Sequence, residues 1–260
     1  MNFLRLRAIA SAAAPAAVLA SLLALAPGCG DDDSKNPAGP GNPSATTVLT
    51  GAFVGGSQGG LVSLSLSTAD LAPRPPRGAR GSPARADSVV SAVMTLGPVG
   101  GGAVNLTGTY DTQADSLHAS GQGYQVSGRG DTTGVVAVVA GNYTSAVDSG
   151  AFVCTPGGLG SVKVFCGEFQ SATGPATGRL NLVVSGGTLL GLFAYEGLLP
   201  ALAFSGTVGG SGIVRSISFS GGASGTGSWN TATNVVSGAW SQGSDMGSWA
   251  GELCLPPDDE

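Results

Sequence analysis

From residue 45 onward, apolar and polar residues alternate with a period of two, stretch after stretch. Ser216-Ile217-Ser218-Phe219-Ser220 and Leu64-Ser65-Leu66-Ser67 show it most cleanly. Alternation of this kind sends one row of side chains to each face of a strand, one row to be buried and one to meet water. The stretches are short and rich in Val, Thr, Leu and aromatics. Glycine pairs such as Gly55-Gly56, Gly186-Gly187 and Gly209-Gly210 separate them and supply the positive φ of tight hairpin turns. No window carries the 3.6-residue apolar period with caps that marks an amphipathic helix. The pattern predicts an all-β protein of antiparallel hairpin repeats.

Strands are predicted near 46–54, 60–67, 88–96, 102–110, 115–120, 123–128, 134–143 and 148–154. A second set falls near 161–169, 177–184, 187–195, 200–208, 212–219, 222–229, 234–241 and 246–253. The two sets hold eight strands each and are parted by Thr155-Pro156-Gly157-Gly158. A repeat runs through both. Gly141-Asn142-Tyr143 followed by Gly150-Ala151-Phe152 has the spacing of Gly238-Ala239-Trp240 followed by Gly247-Ser248-Trp249, and Gly51-Ala52-Phe53 and Gly167-Glu168-Phe169 are looser copies. Thr107-Gly108-Thr109-Tyr110 likewise matches Thr226-Gly227-Ser228-Trp229. In each unit the aromatic fills an apolar face, and the glycine lets a neighbour approach. Eight short strands close a barrel that either fills with side chains or holds one small ligand. The expectation is two eight-stranded up-and-down barrels, with a β-sandwich as the alternative. One sixteen-stranded membrane barrel is disfavoured, because most strands fall short of the ~9–11 residues that a span needs.

Ahead of this body lies a different sequence. Arg5 and Arg7 precede an uncharged apolar run from Ala8 to Ala26, and Pro27-Gly28-Cys29 follows. A basic start, an apolar stretch and a small-residue exit make a secretory signal. Leu25-Ala26-Pro27-Gly28-Cys29 resembles the lipobox of bacterial lipoproteins, with Gly28 and Cys29 matching well and Pro27 departing from the usual pattern. That resemblance covers residues 1–29. It implies cleavage before Cys29, diacylglycerol on its thiol and acylation of the new amine, a membrane anchor of more than one chain. Gly30 after the cysteine implies sorting to an outer membrane. The domain reading is therefore a signal at 1–28 and a lipidated, flexible acidic and Pro/Gly tether at 29–45. A β domain at 46–155, a second at 161–254 and an acidic tail at 255–260 follow. In architecture alone, without a shared motif, the body resembles Gly-rich surface lipoproteins that carry two eight-stranded barrels, such as the transferrin-binding type; that likeness transfers no function.

Composition narrows the partners. The 260 residues include 45 Gly but only 10% charged residues, with a net charge of -5. Loss of Arg5 and Arg7 leaves nine basic against 16 acidic residues, six of the acids sitting in the tether and tail. A near-neutral body excludes capture of nucleic acid by charge. The basic residues that stand out are Arg74, Arg77, Arg80 and Arg85, in a Pro-rich loop at 71–86 that is a candidate grip for an acidic partner or else a solvated insertion.

With Cys29 lipidated, Cys154, Cys166 and Cys254 remain in an oxidising compartment. Cys166 lies in the first strand of the second half and Cys254 at the end of its last. Barrel closure makes those strands neighbours, so a Cys166–Cys254 bridge staples the seam; Cys154–Cys166 across the linker is the rival pairing.

Catalytic and metal signals are sparse. His118 is the only histidine and falls on a predicted strand. Gly55-Gly56-Ser57-Gln58-Gly59 spells a nucleophile elbow, but in a hairpin turn where a strand-to-helix elbow is required. One His and three scattered Cys offer no zinc spacing, and Asp31-Asp32-Asp33 lacks the alternating oxygens of a calcium loop. Among the acids, Glu196 stands out for its apolar neighbours, and a turn position is expected for it. Arg129-Gly130-Asp131, an adhesion-type tripeptide, is expected in a turn. No cofactor and no enzyme are expected. The reading is a lipid-anchored cell-envelope protein, joined to the membrane by its N-terminal lipid, that binds a small apolar ligand or an envelope protein through its barrels. A structural or adhesive surface lipoprotein is the alternative.

Overall fold

The computed structural model describes residues 46–67, 89–131, 138–196, 201–219 and 222–255. The first half carries β1 (Thr46–Gly55), β2 (Gly59–Ser67), β3 (Val89–Pro98), β4 (Val104–Asp111), β5 (Ser116–Gly121), β6 (Tyr124–Asp131), β7 (Val138–Thr144) and β8 (Ser149–Pro156). The second carries β9 (Lys163–Ser171), β10 (Thr177–Ser185), β11 (Thr188–Tyr195), β12 (Leu202–Val208), β13 (Ile213–Phe219), β14 (Ser224–Asn230), β15 (Val235–Gln242) and β16 (Asp245–Leu253). Every strand read from the alternation is present, with small shifts at the ends. Each strand pairs antiparallel with its neighbours in sequence, and the two sets form two closed barrels. Closure rests on β1 with β8, from Leu49↔Pro156 to Gly55↔Gly150, and on β9 with β16, from Phe165↔Leu253 to Ser171↔Gly247. No sheet edge is left between first and last strand, which excludes the β-sandwich alternative.

The inward rows fill both barrels. Phe53, Leu64, Met94, Leu106, Tyr143 and Phe152 pack in the first, each at most 1% exposed. Phe165, Phe169, Phe193, Trp240 and Trp249 pack in the second with Leu, Val and Ile. Burying each large apolar side chain contributes about 1.5–3 kcal/mol. The Gly-x-aromatic repeat is the device that makes room. Phe152 on β8 lies opposite Gly141 on β7, which lies opposite Gly128 on β6, and a Cβ on Gly128 would sit 2.7 Å from the ring. Trp249 on β16 repeats this across Gly238 and Gly227, where an added methyl would overlap the indole. Strands β6–β8 and β14–β16 are thus the same three-strand unit in the two barrels. The Thr107–Tyr110 match is different: it places the same hairpin at β4–β5 and β14–β15, positions that do not correspond.

The barrels also join each other. Ala52, Val54, Leu61 and Val153 from the first form one cluster with Val164, Val183, Leu192 and Ala194 from the second. These lie on outer faces, so stretches such as Leu180–Val184 are buried on both sides. Asn181 is buried in this interface, where its side-chain amide donates to the carbonyl of Phe53. Arg179 adds a bond from Nη1 to the carbonyl of Gly56 at 3.2 Å.

Candidate functional site

Cys166 and Cys254 are disulfide-bonded, their Cα atoms 5.2 Å apart and 88 residues apart in sequence. Glu252 is paired with Cys166, and the Cys254 N–H donates to the Val164 carbonyl at 2.8 Å, so the bridge staples the β9–β16 seam. The rival pairing is overturned: Cys154 is a free thiol, wholly buried in the first barrel, and burial pushes its pKa up. Cys29 and the loop bearing Arg74, Arg77, Arg80 and Arg85 lie outside the described residues. His118 is exposed on β5. Ser57 sits in the β1–β2 turn, its backbone N–H donating to Asp148 Oδ1 at 3.1 Å. Glu196 is exposed just after β11 and accepts from Thr177 Oγ1 at 3.1 Å. Arg129-Gly130-Asp131 belongs to strand β6 and not to a turn, because it pairs on both sides, with Ser116 on β5 and with Val138–Ala140 on β7. Among the described residues no group of three or more His, Cys, Asp or Glu comes together to hold a metal.

What the repeat does chemically depends on its aromatic. In the first barrel two of these aromatics are Tyr110 and Tyr143, and an Asp five residues on, across the hairpin turn, receives each hydroxyl. Tyr143 donates to Asp148 Oδ2 at 2.6 Å, and Tyr110 to Asp115 Oδ1 at 3.2 Å. Burial first, then the carboxylate, holds both tyrosine pKa values above the ordinary one. In the second barrel Trp229 and Trp240 stand in place of the two tyrosines, with Asn234 and Asp245 at the same spacing from them. The indole Nε1 atoms of Trp229, Trp240 and Trp249 are buried without a hydrogen-bond partner. An unsatisfied buried donor costs about 1–3 kcal/mol. Asp245 turns elsewhere: the Oγ atoms of Ser171 (2.6 Å) and Thr173 and the backbone N–H of Met246 (2.9 Å) donate to its Oδ1. Those hydroxyl bonds hold the Asp245 pKa below the ordinary carboxylate value.

Two of these indoles line a recess. It measures about 20 Å³ and is bounded by Phe169, Leu180, Phe193, Tyr195, Ala223, Trp240, Gln242 and Trp249. That is room for one water-sized group. Tyr195 at its margin has a raised pKa, from burial and then from the Asp245 carboxylate. Trp240 also lines a wider, open depression of about 250 Å³ with Gln170, Ala172, Ala239 and Met246, the last 54% exposed. Composition hints at this site only in that all three tryptophans fall in the second half; nothing local in the sequence says that their N–H groups lack acceptors. No protein-family model, curated protein or solved structure matches this chain.

Proposed function

We propose that this is a lipid-anchored, non-enzymatic cell-envelope protein that binds through its second barrel, with the first barrel as a solid support. The anchor follows from the lipobox-like residues ending at Cys29, and Gly30 favours the outer membrane. The observation that carries the binding role is the aromatic recess of the second barrel, lined by Phe169, Phe193, Trp240 and Trp249. The first barrel carries its aromatic hydroxyls on Asp115 and Asp148 instead. A site with few polar groups on apolar walls suits a small, mostly apolar ligand or the protruding group of an envelope partner.

Two measurements test this. Cys29→Ala is expected to move the protein out of the membrane fraction, and retention there would overturn the lipid anchor. Native mass spectrometry of the exported chain is expected to show a bound mass that Trp240→Phe loses. A clean apo mass favours the second reading, a structural surface lipoprotein, for which the one-water size of the recess is the supporting observation.

A further inference from the structure

We propose that the second barrel opens sideways between β12 and β13 at its recess end, and that this slot admits a small, mostly apolar ligand to the aromatic interior. This rests on the binding role proposed above and adds how a closed, filled barrel takes up what it binds, since the recess at rest has room for one water-sized group. Two ladders meet on β13, and both are interrupted. Toward β14, Val214 faces Gly227 and Ile217 faces Gly225, so three steps along β13 match two along its partner. Toward β12, Arg215 faces Thr207 and Ser218 faces Ser205, again three steps against two. A single extra residue in β13, a β-bulge, accounts for both shifts. It also accounts for the burial of both Val214 and Ile217, which lie three residues apart and would face opposite ways on an unbroken strand.

The recess lies where β11 and β15 end and β14 begins, the end at which β12 starts and β13 finishes. Among the described residues, the β12–β13 seam between the bulge and this end consists of Phe204↔Phe219 and Ser205↔Ser218. The turn that joins the two strands, between Val208 and Ile213, is at the opposite end. On the far flank of β13, β14 places Ala223 at the recess, Gly225 opposite Trp240 and Gly227 against the Trp249 ring, residues with little side chain to pack. The other wall is clamped. β9 stands four strands from β13 in either direction round the barrel and carries the Cys166–Cys254 bridge. β9, β10 and β11 also pack on the first barrel through Val164, Val183, Leu192 and Ala194, a cluster in which no described residue of β13 or β14 takes part. Local opening follows the ladder with the fewest bonds and the least buried apolar surface. Parting β12 from β13 opens the wall between Phe193 and Tyr195 on β11 and Ala223 on β14, all three of which line the recess.

The test is hydrogen exchange on the full chain in detergent micelles, with two engineered disulfides. Ser205→Cys with Ser218→Cys locks the slot, since these exposed residues face each other across it. Ser224→Cys with Ser241→Cys places the same bridge on the regular β14–β15 seam as the control. In the wild type, amides at 203–205 and 217–219 are expected to exchange ahead of those of β9 and β10, at a rate insensitive to low denaturant, as local opening requires. The lock is expected to slow those amides, and the buried indole N–H groups of Trp240 and Trp249, at least about tenfold, while the control bridge leaves their rates near wild type. Exchange of β12 and β13 in step with β9 and β10 overturns the opening, and this arm needs no variant to fold. Equal slowing by both bridges overturns it as well. Native mass spectrometry supplies the ligand arm: a bound mass carried by the wild type and the control is expected to be missing from the locked chain. A locked chain that still carries it overturns entry by this slot. A bound mass absent from all three, with the local exchange intact, overturns the binding role and ligand entry with it, while the opening stands.

Discussion

The two barrels share a strand count, a topology and a three-strand unit, and they differ in how that unit ends. In β6–β8 the aromatics are Tyr143 and Phe152; in β14–β16 they are Trp240 and Trp249, seated over the same glycines. The tyrosine reaches across its turn to Asp148, and Asp148 in turn takes the amide of Ser57, which ties the β7–β8 and β1–β2 turns at one end of the first barrel. The indole of Trp240 makes no such bond, and Asp245 is left to bind Ser171 and Thr173. The seams differ in the opposite sense. The first is held by its ladder with a buried free thiol, Cys154, on β8, whereas the second carries the Cys166–Cys254 bridge. The second barrel is also the irregular one, with register shifts on both sides of β13. The lesson is a difference of means: side-chain hydrogen bonds anchor the aromatics of the first barrel, while the second is stapled covalently and leaves its indole donors without partners.

The comparison breaks first at the staple. Cys254→Ser removes a bridge spanning 88 residues, which costs about 4.6 kcal/mol on chain-entropy grounds. The expected result is a large fall in the denaturation midpoint read by tryptophan emission, a reporter of the second barrel alone, and a smaller fall by hydrogen exchange in β2–β6. Equal falls would show that the barrels unfold as one body through their common interface. Alkylation of the unfolded, unreduced body is expected to label one thiol, Cys154.

A second substitution tests what the barrels have in common. Gly141→Val and Gly238→Val each drive a side chain into the backbone of the neighbouring strand, Ser127–Gly128 or Thr226, and at Gly238 into Trp249 as well. Each is expected to cost about 3 kcal/mol or more, as overpacking does. Tolerance at either position in thermal unfolding would mean that the three-strand unit is not equivalent.

The smallest effect concerns the tyrosine bond. The Tyr143 pKa is raised in the folded protein, by burial and by Asp148. Its contribution to stability is therefore complete below the unfolded tyrosine value of about 10 and is lost as pH rises beyond it. Alkaline unfolding, followed by exchange of β7 and β8 amides, is expected to begin in the first barrel. Tyr143→Phe is expected to remove part of that alkaline loss and to cost about 1–2 kcal/mol at neutral pH, Asp148 losing its closest donor. An unchanged alkaline limb would remove the hydroxyl from the account.

How much of this was legible in advance follows from range. The alternation, the glycine-bounded turns and the Gly-x-aromatic repeat are local signals, set by side-chain direction and by the φ that a tight turn demands. They determined the strands and the eight-and-eight division; through closure they favoured Cys166–Cys254 over Cys154–Cys166, a choice the folded structure made. Arg129-Gly130-Asp131 misled, because turn-forming residues also fit a strand end whose backbone groups find partners on β5 and β7. Only the tertiary structure decided how the barrels meet. Continuous apolar runs such as Leu180–Val184 signalled burial on two faces, yet no local rule named Ala52, Val54 and Val153 as what covers them. The fate of the polar tips belonged to the fold as well. Tyr143 and Trp240 occupy one motif at one spacing from an aspartate, but a hydroxyl extends from the ring end and an indole N–H from its side, so the first finds its carboxylate and the second does not. Sequence settles which residues turn inward; the register of distant strands settles which of them find a partner there.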